Sequence, residues 1–242
     1  MADERVKDRE LAAGHTLREA TEARRTEALR SEDHPEWRRL SEGVRRLNRA
    51  CVESDLDAAS LNELASQVEA LAGKMESSSE GKRVGLVEEG WHGVSDSLNY
   101  LPFSPIMGRL NPASYGLDIV REGEQAIGRV VLDETAEGAV GLSHGGVISG
   151  IWDEVLAAAN AIQQTGGPTG SLTVRYRRPT PLHEPLRYAA WVEQTEERKV
   201  LVKGECTIEG GDGTVLSEAE AVFIRMRVTG IDWHKQRGAD DA

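Results

Sequence analysis

The sequence predicts an α+β fold, with an antiparallel sheet lying against one long helix. Three observations lead there. After the glycines at 145 and 146, Val147, Ile148, Ile151, Trp152, Val155, Leu156 and the alanines that follow leave no wide polar face, which marks a helix buried on most sides. From Leu117 onward the apolar period changes from helical to alternating. The turns at 194–198 and 210–213 are too short for the crossovers that parallel strands need, so neighbouring strands run antiparallel.

Taken in order, residues 2–33 mix acids, bases and alanine with little apolar periodicity and read as a solvated, partly frayed helix. Beyond Pro35 the pattern sharpens. Trp37, Leu40, Val44 and Leu47 fall three and four apart, as do Leu61, Leu64, Val68 and Leu71, predicting two amphipathic helices in a hairpin. Helix-capping residues occupy 55–60 between them, and a flexible linker begins at 77–81. Such narrow stripes call for docking on the main domain or on a second copy. Residues 1–84 therefore read as a helical extension and 85–242 as the main domain. Within the latter, strands are expected at 117–120 and 126–132 before the central helix, and at 171–177, 186–193, 200–208 and 215–228 after it.

Composition narrows the function. The chain has 242 residues, 39% of them hydrophobic, which is ordinary for a globular protein. Its net charge of −12 opposes nucleic acid or an anionic membrane as the main partner. No segment reaches membrane-spanning length and no apolar stretch follows the charged amino terminus, so a cytoplasmic location is expected. Cys51 and Cys206 lack metal-ligand spacing and are expected to be reduced core residues. His15, His34, His92, His183 and His234 are scattered, and no metal is implied.

Asp153 is the anomaly of the central helix. A carboxylate in apolar surroundings costs several kcal/mol unless it is paired, hydrated or used. It is either a member of an ion pair or a group that does chemistry. At the other end, the amides of Gly145 and Gly146 lie in the first turn, where N–H groups lack intrahelical partners and the dipole is positive, a setting for a developing oxyanion.

His144, Gly145 and Gly146 with an acid nine residues after the histidine form a pattern that extends on both sides. It takes in Ser104 to Pro112, Glu137-Gly138, Thr169, and Val174 to Leu182. In this order and spacing the stretch from 100 to 228 resembles the PaaI-type acyl-CoA thioesterases of the hotdog superfamily. The resemblance implies a hotdog arrangement, a sheet wrapped around the central helix. It implies hydrolysis of an acyl-CoA thioester, with Asp153 as general base or as the nucleophile that forms a mixed anhydride. Gly145 would donate to the thioester carbonyl, with Gly146 beside it. His144 would either hydrogen-bond that carbonyl or brace the loop, and Thr169 would position the attacking water. Arg175 and Arg177, on one face of a strand, would bind the nucleotide and phosphates of coenzyme A. Coenzyme A is then part of the substrate and no further cofactor is implied.

Relatives place their sites at the interface of a homodimer or a dimer of dimers. Some carry an asparagine six residues before the histidine, where this chain has Gly138, which bears on acyl preference. A non-catalytic acyl-CoA-binding or scaffold protein is the alternative. A hotdog dehydratase fits less well, since its catalytic His and acid pattern is absent.

Overall fold

The computed structural model describes residues 35–78, 101–163 and 167–225. Its elements are α1 (Pro35–Glu53), α2 (Ala58–Ser77), β1 (Asp118–Glu122), β2 (Gln125–Val131), a 3-10 turn at Glu134–Ala136, β3 (Glu137–Ala139), β4 (Leu142–Ser143), α3 (Gly145–Ile162), β5 (Thr169–Tyr176), β6 (Pro185–Thr195), β7 (Lys199–Ile208) and β8 (Ser217–Ile224). Six strands form one sheet in the order β1-β2-β6-β7-β8-β5, and every pairing is antiparallel. The α+β class and all six long strands are as expected. The 3-10 turn and the small β3–β4 pair were not foreseen. The charged segment at 2–33, the linker beyond Ser78, the boundary at 84–85 and residues 226–228 lie outside the described residues.

The core forms where α3 lies on one face of the sheet. β8 shows why the strands sit flat against it: Ser217, Ala219, Ala221 and Phe223 point inward, while Glu218 and Glu220 alternate outward. Ile151, Trp152, Val155 and Leu156 of α3 are fully buried in one cluster with Ala126, Leu186, Tyr188, Val200 and Val202. Each such side chain stabilises the fold by roughly 1.5–3 kcal/mol. Trp152 meets Tyr188 edge-on at 4.9 Å between ring centroids, and its Nε1–H donates to Ser217 Oγ at 3.1 Å, so the polar tip of the indole is satisfied inside the core. Two glycines permit this seating. A Cβ on Gly204 would lie 2.5 Å from Trp152 Cζ3, and one on Gly128 would lie 2.7 Å from Val155 Cγ2.

α3 is buried on most sides, as expected, and its remaining side is a strip of Gly146, Ser149 and Asp153 at helical spacing that the single chain leaves open. The reason is topological: β5 is an edge strand bonded only to β8, and no described strand lies beyond it to cover the strip. Cys206 is buried as expected, but Cys51 is exposed on α1; both are free thiols.

The extension departs further from its expected form. α1 docks by the face carrying Trp37, Ser41, Arg45 and Arg49. Trp37 packs edge-on against Phe103, and buried Ser41 donates to the Leu110 carbonyl at 2.6 Å. Arg45 donates to the carbonyls of Arg109 and Asn111, and Arg49 donates to Asp133 Oδ2 at 2.8 Å. A mainly polar face therefore meets the domain, and Leu40, Val44 and Leu47 stay 42, 40 and 39% exposed. α2 begins at the N-cap Asp57, whose side chain accepts from Ser60 N–H, but it buries no residue at all. Two helices exist as predicted, whereas a closed hairpin with a covered seam does not.

Gly204→Ala is expected to cost about 1–3 kcal/mol, as overpacking does in a close-packed core. Thermal unfolding should fall by several degrees. An unchanged Tm would mean that Trp152 is not wedged against β7.

Candidate active site

Asp153 lies on the open strip of α3, and Thr169, the first residue of β5, donates its hydroxyl to Asp153 Oδ1 at 2.9 Å. Both side chains are exposed in the single chain. The acid thus combines an oriented hydroxyl neighbour with access to water, which answers the puzzle of a carboxylate in an apolar helix: this one is hydrated and hydrogen-bonded.

At the helix entry, His144 is the N-cap, and its Nδ1 accepts from Gly146 N–H at 2.9 Å. Nδ1 is then unprotonated and a neutral ring carries its proton on Nε2. The His144 carbonyl receives Val147 and Ile148 N–H. Gly145 N–H has no acceptor among the described residues, unlike Gly146 N–H. Of the two glycine amides, it is Gly145 that can donate to an incoming oxygen. Its carbonyl is held from the other side by Tyr176, whose hydroxyl donates to it at 2.8 Å. With that proton committed, the 2.7 Å contact between Ser149 and Tyr176 has Ser149 as donor. Gly138 is also explained: a Cβ there would lie 2.7 Å from His144 Cα, so the loop that presents the histidine leaves no room for a side chain.

An open cleft of about 530 Å³ lies at this helix entry, lined by His144, Gly145, Ile148, Tyr176, Arg177 and Arg178 among others. Neither Asp153 nor Thr169 borders it. The eight residues from Gly145 to Asp153 span about 12 Å of helix axis, so the structure brings Asp153 to Thr169 and His144 to Gly145 and Gly146, but does not bring the two groups together.

Arg175 lies on the outer face of β5, and Arg177, two residues on, follows directly after the strand's end. Arg175 pairs with Glu220 at 3.3 Å and Arg177 with Glu218 at 2.8 Å. Arg177 borders the cleft; Arg175 does not. Sequence reasoning passed over Tyr176 and Ser149, although an aromatic hydroxyl between two arginines on the strand that faces the helix entry was a usable signal. Glu154 is half-buried, accepts from Ser104 Oγ at 2.5 Å, and is pushed up by burial, against which the Ser104 bond works. The same Ser104 oxygen receives Ile106 and Met107 N–H, so this carboxyl ties the 104–107 loop to α3.

No protein-family model matches the sequence, and neither does any curated protein. Among solved structures, a crystal structure of a thioesterase superfamily protein is 28% identical over 78% of this chain and 90% of its own, with a TM-score of 0.69. The PaaI protein from the phenylacetic acid degradation operon of E. coli is 18% identical over 46% of this chain and 84% of its own, with a TM-score of 0.43. A Streptococcus mutans protein bound to acetyl-CoA is 16% identical over 45% and 87%, with a TM-score of 0.41. The first likeness covers about 189 of 242 residues (78% of 242), and residues 101–242 supply at most 142 of these, so it reaches well into the segment before residue 101.

Glu154→Gln keeps an acceptor for Ser104 and removes a half-buried charge. A carboxyl raised on folding stabilises most below its unfolded pKa and loses that contribution as pH rises through the folded value. At neutral pH the variant should therefore match or exceed the wild-type Tm, and the gain should vanish below the ordinary carboxylate range. A fall of more than about 4 °C, on the order of 1 kcal/mol or more, would show that the ionised form is needed. The antiparallel sheet against α3, the ordered motif from His144 to Asp153 and the likeness to the first structure together give this chain the hotdog fold of the thioesterase superfamily protein it resembles.

Proposed function

We propose that the protein hydrolyses an acyl-CoA thioester at a site shared between two copies of the chain. The observation that carries this reading is the pairing of Asp153 with Thr169 on the open strip of α3, at one end of an edge strand whose other end holds Gly145. Thr169 meets Asp153 and Tyr176 meets Gly145, so β5 runs antiparallel to α3 with half of the machinery at each end. The free edge of β5 offers unpaired N–H and C=O groups to another strand. If it pairs with its own copy about a two-fold axis, the Thr169 end of one chain lies over the Tyr176 end of the other. That brings each acid to the partner's glycine entry and yields two equal sites.

In such a site Gly145 N–H polarises the thioester carbonyl and stabilises the oxyanion, assisted by the positive end of α3. His144 contributes either an Nε2–H donor or the Nδ1 cap that shapes the loop. Asp153 takes a proton from water as the oxygen attacks the carbonyl carbon, or attacks that carbon itself to give an anhydride that water then opens. Thr169 holds the carboxylate. The C–S bond breaks, and the leaving thiolate takes a proton from protonated Asp153 in the first route or from water in the second, so that coenzyme A leaves as the thiol. Arg175 and Arg177 bind the phosphates by giving up their glutamates, since exposed ion pairs of this kind exchange readily.

Asp153→Asn, nearly isosteric, should fold normally and lower kcat about a hundredfold or more, on the order of 3 kcal/mol at the transition state. An acyl-CoA panel read by free-thiol release measures this; near-normal kcat in a folded variant would remove Asp153 from the chemistry, and no turnover by wild type, with acyl-CoA still bound, would mark a binding protein instead. Arg175→Ala and Arg177→Ala should raise KM for acyl-CoA more than they lower kcat, because remote contacts hold ground and transition states alike. A KM unchanged at low and high salt would assign the arginines to their glutamates alone.

A further inference from the structure

We infer that the exposed seams of α1 and α2 cover one another between two chains, with α2 of one copy lying antiparallel on α1 of the other. This goes beyond the catalytic reading and does not depend on it.

The spacing is the first ground. Leu40, Val44, Leu47 and Cys51 on α1 repeat at four and three residues, and Leu61, Leu64, Val68, Leu71 and Met75 on α2 repeat at three and four, the pattern of a helix seam that meets another helix. The second ground is exposure. Leu61, Leu64, Val68, Leu71 and Met75 are 41–64% exposed, on a helix with no buried residue. A 20-residue helix supported only by its N-cap, a Gln67–Glu63 side-chain bond and local serine bonds to its own carbonyls is marginal in water, so packing must contribute to its order.

The remaining grounds choose the occupant. Docking on the domain already uses a different side of α1, through Ser41, Arg45 and Arg49 about 130° round the helix from the seam, and leaves the seam partly exposed. α1 carries five arginines against three glutamates and α2 one lysine against three glutamates, so the helices have opposite net charge and like helices repel. A crossed α1–α2 pairing satisfies both seams and both charges, whereas α1 on α1 or α2 on α2 does not. The seams also match in length, about 17 Å from residue 40 to 51 and about 21 Å from 61 to 75. The likeness to the 28%-identical structure extends into this segment, as expected if the extension belongs to the architecture.

The test uses Cys51, which lies in the α1 seam, while Cys206 is buried. Wild-type chain is co-expressed with full-length chain carrying Cys51→Ser and one of Leu61→Cys, Leu64→Cys or Val68→Cys, the two distinguished by tags. No single chain then carries a cysteine on both seams. Mild oxidation should give a disulfide between Cys51 of the wild-type chain and the α2 cysteine of the other, most strongly at 61 or 64, identified by peptide mass spectrometry. Dominant Cys51–Cys51 or α2–α2 disulfides would overturn the crossed arrangement. If none of the three positions cross-links to Cys51, another surface covers these helices and the inference fails.

Discussion

The seating of α3 against the sheet is the constraint from which the rest follows. Trp152 and Val155 reach the strands only because Gly204 and Gly128 present bare backbone opposite them, with less than 3 Å to the place a Cβ would occupy. The indole is then fixed by Tyr188 and Ser217, and with it the rotation of the helix about its axis. Once Trp152 points into the sheet, the residue after it points away, and Asp153 arrives on the open strip beside β5. The position of the acid is thus a consequence of core packing, reached without any loop.

The same rotation places Gly145 beside Tyr176. β5 acts as a ruler laid along the helix, with a hydroxyl at each end: Thr169 on the acid, Tyr176 on the glycine carbonyl. Because the ruler is an edge strand, its unpaired side and the open strip face the same direction. A single chain holds the Gly145 amide and the Asp153 carboxylate about 12 Å apart along the helix, and in the proposed dimer the free edge would let two chains supply what one lacks. The first helix of the extension is anchored to the domain largely by polar contacts, which leaves the apolar seams exposed for the pairing between copies that we infer.

Much of this was legible in the residues. The apolar run after Gly146 and the change to alternation at Leu117 carried the fold class, and short turns carried strand direction. His144, Gly145, Gly146, Asp153 and Thr169 could be singled out as candidates, as could the distance that keeps the first three from the acid. What was not legible depended on three-dimensional rotation. Sequence periodicity marked α3 as buried on most sides but did not say which side stays open, since Ser149 and Gly146 are small enough to pass as core; the edge position of β5 shows that they lie on the open side. Cys51 looked like a core residue because it continues the stripe of Leu40, Val44 and Leu47; the stripe is real, but the domain takes another face. The division of labour between Gly146, held by the His144 cap, and Gly145, left free, needed the cap geometry.

The central claim is that acid and amide come from different chains, and complementation tests it most directly. Asp153→Asn and Gly145→Pro, each nearly inactive alone, are co-refolded and the mixed dimers confirmed by mass spectrometry. In a mixed dimer with shared sites, one site carries both lesions and the other neither. Random pairing makes half of the dimers mixed, each with one intact site of two, so about a quarter of wild-type activity should return. If each site were built from one chain, every site would keep a lesion, and well-folded mixed dimers would show no recovery.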